Sequence, residues 1–310
     1  MPRLANWSIC SPRGSPCPAP LARRTGSGSF PPSRTFWLFL SQVLAADHAC
    51  REVVRKFLAW LALEQKQTAS PKTGAYCNAR GRLRPQDLRH VHDQVIGAVP
   101  DGHEQGTWCG RRVRVFDGSS VSMPDTAPNQ ARYPQPHTQK PGCGFPVMRI
   151  VACFSLASGL ILEVAKDALT VSERTLFRRL WHWLEPDEVA LTDCGFCSFA
   201  DFYLLQQRGV DPVMRNHQRR SVGLRLVKTL DEGDRLIEWF KGNVRPLWLS
   251  PEEWRALPDT LLVRELTFTF DIRGFRSKTL VVATTLLDPV QFPKQAFADL
   301  YRRRWMAELF

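Results

Sequence analysis

The pattern of apolar and polar positions divides the chain into stretches of different character. Between residues 36 and 105 the apolar side chains recur at intervals of three and four, as on one face of a helix. The first run, FWLFLSQVLAA, continues without a break into CREVVRKFLAWLALEQ. We therefore expect a helical N-terminal domain at residues 36–105, whose role is either packing alone or DNA binding.

Apolar and polar residues alternate from about residue 111, which predicts β-strands. RVRVFD is typical of a strand that ends on Asp117, and EVALTD of a shorter strand that ends on Asp193. Ser172 and Ser198 precede helical patterns and are expected to cap them. The predicted order is β-β-β-α-β-α-β, formed by RVRVFD, VMRIVACFS, LILEVAKDA, SERTLFRRLWHWL, EVALTD, SFADFYLLQQRG and DPVMR. This order predicts an α/β fold: a mixed sheet with flanking helices.

Residues 218–288 are expected to form a mainly β insertion in this fold. The strand-like segments are DRLIEWF, LLVRELTFTF and RSKTLVVATTLL, and a hairpin turn is predicted at Asp271–Gly274. A helical pattern, KQAFADLYRRRWMAELF, returns after Pro293. The domain prediction is therefore a catalytic domain at residues 106–310 that contains the insertion.

Composition separates the first 35 residues from the rest. They hold seven prolines, six serines, three glycines and five arginines but no acidic residue, so we expect a disordered basic leader. The leader is either an electrostatic arm for DNA or the product of a start codon assigned too early. The whole chain has a net charge of +12, which favours a polyanionic partner such as nucleic acid.

Cysteine usage and hydropathy bear on the compartment. Nine scattered cysteines show no disulfide framework, so we expect them to be reduced and intracellular. Cys194 and Cys197 form one CxxC motif, but a zinc site usually needs a second pair, which argues against zinc. FWLFLSQVLAA resembles a signal-peptide core, yet its preceding region is too long, and we interpret it as a buried helix. We expect no membrane-spanning segment.

Three carboxylates are candidates for catalysis. Asp117 and Asp193 each end a predicted strand, where α/β sheets bind ligands. Glu308 shares a helix face with Tyr301 and Arg304 through the spacing i, i+3, i+7. Three such carboxylates can hold two Mg²⁺ or Mn²⁺ ions for phosphoryl transfer. The alternative is that the aspartates cap turns and Glu308 belongs to a salt-bridged surface stripe.

From Ser33 onwards the chain resembles the insertion-sequence-4 family of DDE transposases. The resemblance rests on DGSSVSMPDTAPNQ around Asp117, on TDCGFCSFADFYLLQQRGVDPVMRNHQRR around Asp193, and on YRRRWMAE. The last segment fits the first three places of the signature Y-x2-R-x3-E-x6-K. The resemblance implies an RNase H-like fold with a β insertion. It also implies that Asp117, Asp193 and Glu308 bind two divalent ions.

The same resemblance implies the reaction and the partners. Such enzymes cut double-stranded DNA at the inverted-repeat ends of the element and join the freed 3′-hydroxyls to target DNA, as a homodimer on the DNA. Tyr301 and Arg304 are then expected to contact the DNA backbone. Arg215, His217, Arg219 and Arg220 either track the backbone or form a solvated basic loop. The expected location is the bacterial cytoplasm, at the nucleoid.

Two departures from the family pattern affect these expectations. The signature lysine should follow Glu308 by seven residues, which lies past Phe310, so we expect a truncated reading frame with weak or absent activity. Cys194 stands where relatives commonly carry arginine. The alternatives to an active transposase are a DNA-binding remnant or regulator without catalysis, and an RNase H-like nuclease without strand transfer.

Overall fold

The computed structural model describes residues 30–66, 68–99, 107–216, 223–270 and 278–307. The chain divides into two compact units, residues 1–99 and residues 100–310. The predicted domain boundary at residues 105/106 falls in a short stretch outside the described residues.

The first unit is helical in its described part. Phe30 packs against the rings of Phe57 and Tyr76, at centroid distances of 5.3 and 5.9 Å. Residues 30–35, which we expected in the disordered leader, therefore belong to the packed region. The helices are α1 (Pro32–Val43), α2 (Cys50–Leu63), α3 (Gly74–Gly81) and α4 (Pro85–Ala98).

The run that we expected to continue without a break is interrupted between α1 and α2. Helix α1 ends at Val43, and His48 in the following turn adopts a positive φ of 50°, which a continuous helix cannot accommodate. Gln42 holds this turn, because its Nε2 donates to the His48 carbonyl at 2.7 Å. The Gln42 Oε1 accepts from the Tyr76 hydroxyl at 2.8 Å. Apolar periodicity does not reveal this break, because polar contacts make it: Gln42 bonds the turn, and Tyr76 of α3 bonds Gln42.

The second unit contains a sheet of nine strands among its described residues, in the order β3-β2-β1-β4-β5-β9-β8-β7-β6. The strands are β1 (Val113–Ser122), β2 (Val147–Ser155), β3 (Ile161–Ala168), β4 (Val189–Thr192), β5 (Asp211–Arg215), β6 (Leu224–Asp231), β7 (Asp234–Phe240), β8 (Thr260–Phe270) and β9 (Lys278–Thr284).

Strand directions give the sheet its RNase H-like character. Strands β1, β2 and β3 form an antiparallel meander, and β4 and β5 run parallel to β1. This mixed α/β arrangement confirms the predicted fold class. Strand β9 pairs antiparallel with β5, so the β-rich stretch extends the same sheet. Strand β6 was not predicted from the sequence. The expected hairpin turn at Asp271–Gly274 lies outside the described residues.

Five helices of the second unit lie in its described part. Ser172 and Ser198 cap α6 and α7 as predicted, each accepting a hydrogen bond from a backbone N–H three residues on. The expected helix SERTLFRRLWHWL is shorter, because α6 gives way to a 3₁₀ turn at Trp181–Trp183. The helices are α5 (Ala127–Arg132), α6 (Glu173–Arg179), α7 (Phe199–Gln207), α8 (Pro251–Ala256) and α9 (Lys294–Ala307).

The main core of the second unit lies between the sheet and α9. Val115 of β1 and Leu191 of β4 pack there with Phe297 and Tyr301 of α9. Burial of these side chains fixes α9 against the strands that carry the two candidate aspartates. Within the described part of the chain, the helices are too short or too polar to cross a membrane.

Candidate active site

The two candidate aspartates follow paired positions on neighbouring parallel strands. The β1–β4 ladder runs from Val113 opposite Val189 to Phe116 opposite Thr192. Asp117 and Asp193 are the next residue on each strand, so their backbones lie side by side where the ladder ends. Sequence reasoning placed each aspartate at the end of a strand, and the β1–β4 register adds that their backbones are neighbours.

Strand β1 does not end at Asp117, which corrects the predicted strand boundary. It continues to Ser122 because residues 118–122 pair with β2, where Gly118 faces Val151 and Ser122 faces Val147. Asp117 therefore lies inside a strand, where its backbone pairs with Ala152 of β2. It nevertheless lies where β4 leaves the sheet, and its partial exposure leaves it accessible.

Alternation along the strands places both aspartates on the α9 side of the sheet. Side chains two residues apart share a face. Asp117 therefore shares the face of Val115, and Asp193 that of Leu191, both of which pack in the core beneath α9. The pair is thus next to the helix that carries the third part of the motif.

Asp193 has a positively charged neighbour. Arg215, at the end of β5, places Nη1 3.6 Å from the Asp193 Oδ1, and the two side chains are 40% and 38% exposed. Burial, followed by the negative charge of Asp193, raises the pKa of the Cys194 thiol. Cys194 therefore stays a neutral thiol beside the carboxylate. Arg215 places a positive charge beside this carboxylate.

Helix α9 is anchored by Tyr301. Its side chain is 1% exposed, and its hydroxyl donates to the Thr192 carbonyl at 2.9 Å. Burial raises the pKa of Tyr301 well above its ordinary value, so the hydroxyl remains a donor. This placement differs from the expected contact with the DNA backbone, because the side chain faces the protein interior. Arg304 is 5% exposed, with its guanidinium carbon 6.0 Å from the Tyr301 ring centre.

Three predicted site residues, Glu308, Arg219 and Arg220, lie outside the described residues, as does His217. Their assigned roles stay predictions. The structure therefore brings together Asp117, Asp193, Arg215 and Tyr301, and it places Arg304 one helical turn after Tyr301.

Sequence reasoning missed Glu173, which lies close to Gly118 and Gly195. An ideal Cβ built on Gly118 would lie 2.8 Å from the Glu173 Cδ, and one built on Gly195 would lie 3.7 Å from its Oε2. These two glycines follow Asp117 and Asp193 within two residues. Of these two glycines, Gly118 is the one whose missing side chain makes room for Glu173, because a Cβ at Gly195 would lie at an ordinary contact distance.

The donor chemistry of the site suits a hard divalent cation. Carboxylate oxygens are the ligands that Mg²⁺ and Mn²⁺ prefer. The Glu173 carboxylate lies so close to Gly118 that a side chain at position 118 would collide with it. Among the described residues, groups of three His, Cys, Asp or Glu arranged to hold one ion are absent. Asp117 and Asp193 are thus two potential ligands of a site whose proposed third, Glu308, lies beyond the described part.

Comparison with known proteins decides the family. Residues 108–310 match the family model of the transposase DDE domain, which covers both aspartates and α9. The chain belongs to this family. Membership agrees with the RNase H-like strand order and with the resemblance inferred from the three motifs.

One curated relative of the transposase DDE family is the transposase InsG for insertion sequence element IS4 from Escherichia coli K12. It is 25% identical over 281 residues, which cover 88% of this chain and 59% of the relative. The chain thus spans about three-fifths of the length of that relative.

Two solved structures show weaker similarity. The piggyBac transposase synaptic complex with hairpin DNA has a TM-score of 0.41 at 8% identity, covering 92% of this chain and 60% of that one. Endonuclease V from Bacillus subtilis has a TM-score of 0.23 at 12% identity, covering 65% of this chain and 76% of that one.

Proposed function

We propose that this chain acts as a DNA transposase of the insertion-sequence-4 type, cutting DNA at element ends and joining the freed 3′-hydroxyls to target DNA. The observation that carries the proposal is the side-by-side placement of Asp117 and Asp193 at the end of the β1–β4 ladder, beneath α9. Phosphoryl transfer of this kind needs carboxylates that converge from separate chain segments on the reacting phosphate.

The proposed metal ligands are Asp117, Asp193 and Glu308. When bound, two Mg²⁺ or Mn²⁺ ions activate the attacking water or 3′-hydroxyl and stabilise the leaving oxygen. The protein contributes the fixed positions of the carboxylates. Tyr301 holds α9 against the last residue of β4, which keeps the two segments of the site together.

Arginines around the site are proposed to bind the DNA backbone. Arg215 is 40% exposed beside Asp193, and its planar fork matches a phosphate with two hydrogen bonds. Arg219 and Arg220 follow it in the sequence. Arg304 is 5% exposed, so it is left out of this proposal together with Tyr301. A phosphate held by Arg215 lies next to the carboxylate that is proposed to hold the metal.

The helical N-terminal unit is proposed to recognise the DNA ends. Exposed basic side chains on α2 and just after α3 support this role, because phosphate contacts dominate DNA affinity. They are Arg51, Arg55, Lys56, Arg82 and Arg84. Pairing of two element ends by two copies of the chain is the proposed assembly, and the bacterial nucleoid is its proposed location. Light scattering with and without end DNA measures the assembly.

The test is a cleavage assay on duplexes taken from both sides of the coding region, where matched inverted repeats are expected. Asp117→Asn and Asp193→Asn should abolish Mg²⁺-dependent cleavage while leaving DNA binding intact. Asp231→Asn is the matched control, because this exposed aspartate ends β6 far along the sheet order. Cleavage by the two site variants at the wild-type rate would refute the proposal.

Pre-cut ends separate the proposed function from its rivals. Strand-transfer products from pre-cut duplexes support transposition, whereas cleavage without joining indicates a nuclease. Salt-sensitive DNA binding without cleavage or joining indicates a DNA-binding regulator. Each rival outcome contradicts transposase activity for this chain.

A further inference from the structure

Asn216 is held on two sides directly after β5. Its backbone N–H donates to the Val281 carbonyl at 2.7 Å, which continues the pairing of β5 with β9 by one residue. Its side-chain Nδ2 donates to the Glu265 Oε1 of β8 at 2.6 Å. Because Asn216 directly follows Arg215, both bonds restrain the backbone that carries the arginine beside Asp193.

The side chains of Asn216 and Arg215 lie on opposite faces of the sheet. Val213 of β5 packs in the core beneath α9, and Arg215, two residues on, shares its face. Leu266 of β8 packs in the same core, so its neighbour Glu265 projects from the other face, where it meets Asn216. A side chain fixed on one face therefore limits the direction in which its neighbour leaves the other face.

The bond between Asn216 and Glu265 passes over β9, which lies between β5 and β8. Glu265 pairs with Ala283 of β9, whose side chain is a single methyl group and leaves room above the strand. Arg235 of β7 donates to the other Glu265 oxygen at 2.9 Å. These contacts connect the β-rich stretch of the sheet to the end of β5.

Burial makes the bond between Asn216 and Glu265 a firm restraint. Asn216 is 7% exposed and Glu265 is 2% exposed. A hydrogen bond to a charged acceptor is stronger than one between neutral groups, and a buried carboxylate that loses a donor is destabilised. Arg215 is 40% exposed, and its distance of 3.6 Å from Asp193 is too long for a hydrogen bond. The buried bond, rather than this exposed ion pair, is therefore the firmer restraint at the end of β5.

We propose that Asn216 and Glu265 are positioning residues that fix Arg215 for its contact with a DNA phosphate. The buried pair holds the end of β5 in place, so the guanidinium reaches the phosphate with little further loss of conformational freedom. Neither positioning side chain touches DNA, since both are buried on the opposite face of the sheet. The inference rests on the DNA contact of Arg215 in the proposed function.

The competing explanation is that the pair only stabilises the fold. Thr285 offers a matched control, because its hydroxyl donates to the Asp211 Oδ1 at 2.6 Å and holds the opposite end of β5. Thr285 is 7% exposed, as Asn216 is. Loss of a buried hydrogen bond to a carboxylate affects both positions, but loss of Arg215 positioning affects Asn216 alone.

The test is the salt dependence of DNA binding by the purified full chain, measured by the fluorescence anisotropy of a labelled duplex. The slope of log affinity against log salt depends on the number of phosphates that the protein neutralises, and a partly inactive sample does not change it. Asn216→Ala should reduce the slope by about 1, as Arg215→Gln should, and the double variant should reduce it no further. Thr285→Val should leave the slope unchanged. Thermal melting checks that the variants fold.

Reversal of the pair provides a second, independent variant. Asn216→Asp alone places two carboxylates together in a buried site and should reduce the slope. Asn216→Asp with Glu265→Gln keeps the net charge of the wild type and should restore the slope, because the new amide donates to the new carboxylate. A folded reversed pair with a reduced slope would overturn the inference. Asn216→Ser, whose side chain is one bond shorter, replaces Asn216→Ala if the latter does not fold.

The outcomes separate the inference from the proposed function. If Arg215→Gln reduces the slope and Asn216→Ala does not, the pair has a purely structural role and the inference fails alone. If Arg215→Gln leaves the slope unchanged, the DNA contact of Arg215 fails and the inference fails with it, whereas the cleavage assay decides the proposed function separately. Equal reductions in both variants, with recovery in the reversed pair, support the inference.

Discussion

The hydroxyl of Tyr301 donates a hydrogen bond of 2.9 Å to the carbonyl oxygen of Thr192. Tyr301 lies on α9, and Thr192 is the last residue of β4, directly before Asp193. Both residues are almost fully buried. The bond therefore joins the helix of the third motif to the point where the second candidate carboxylate leaves the sheet.

Tyr301→Phe should weaken both stability and activity. The Thr192 carbonyl loses this donor in a buried environment, so the free energy of unfolding should fall by about 1–2 kcal/mol. The cleavage rate should fall by more than the loss of folded protein explains, because α9 loses its fixed position. Urea denaturation and cleavage kinetics measure the two effects. Tyr203→Phe, at a half-buried tyrosine of α7, is the control. A stability loss with normal cleavage of the folded fraction would leave the tyrosine a structural role alone.

Arg215→Gln should separate metal binding from DNA binding. Arg215 lies 3.6 Å from Asp193, so its positive charge opposes a cation at that carboxylate. Removal of the charge should raise Mn²⁺ affinity a few-fold, limited by solvent screening. DNA binding should become weaker, and the slope of log affinity against log salt should fall by about 1. Titrations of Mn²⁺ and of labelled DNA measure these opposite changes.

Arg225→Gln is the matched control for Arg215→Gln, because Arg225 pairs with Glu238 on β6 and β7. An unchanged salt slope in Arg215→Gln would remove this arginine from the proposed DNA contacts. Unchanged Mn²⁺ affinity would show that the ion pair with Asp193 does not affect the cation site.

Strand periodicity predicted the five strands β1 to β5 and a mixed sheet, because buried strands carry dense apolar residues, but it did not give the strand directions. It placed the end of β1 at Asp117 because the apolar residues stop at Phe116. Residues 118–122 are instead held by backbone pairing with β2, and their largely exposed side chains carry little hydrophobic signal. The adjacency of the aspartates was predictable from the motifs, and their shared face follows from the register.

Glu173 and Tyr301 show what sequence reasoning could not supply. Glu173 comes near Gly118 through the packing of Phe177 on Phe116, a contact between residues 61 positions apart by their numbers. Tyr301 fits the family signature by spacing, but its hydroxyl meets a carbonyl on β4, far away in the chain. Both placements depend on tertiary packing, which local patterns do not encode.

Asp167 should contribute to acid stability. A hydrogen bond from the Ala168 N–H, followed by those from Arg179 and Arg132, lowers its pKa from 3.8 to about 2. A lowered pKa in the folded state stabilises the fold above pH 3.8, and this contribution is lost as the pH falls through about 2. Because both arginines are about half exposed, screening leaves about 1 kcal/mol.

Asp167→Asn should therefore be less stable than the wild type at pH 5, with a difference that shrinks towards pH 2. Urea denaturation at several pH values measures it. Asp259→Asn is the control, because its side chain is 94% exposed beside Lys241. A difference that stays constant with pH would show that shape and hydrogen bonding, rather than charge, account for the role of Asp167.

Asp234→Ala should be the most destabilising of these substitutions. Arg264 and Asp234 are 0% and 3% exposed and share two hydrogen bonds of 2.6 and 2.8 Å. Removal of the Asp234 carboxylate leaves the buried Arg264 guanidinium without its charged partner. The free energy of unfolding should therefore fall by about 3–5 kcal/mol.

The double variant Asp234→Leu with Arg264→Met should recover most of this loss, since neither charge remains buried. Glu252→Ala, which breaks the exposed pair with Arg255, should cost less than about 1 kcal/mol. Arg264 also donates to the Phe292 carbonyl at 2.8 Å, just before α9. If the double variant stays as unstable as Asp234→Ala, this bond to the start of α9, rather than the buried charge, is the dominant contribution of Arg264.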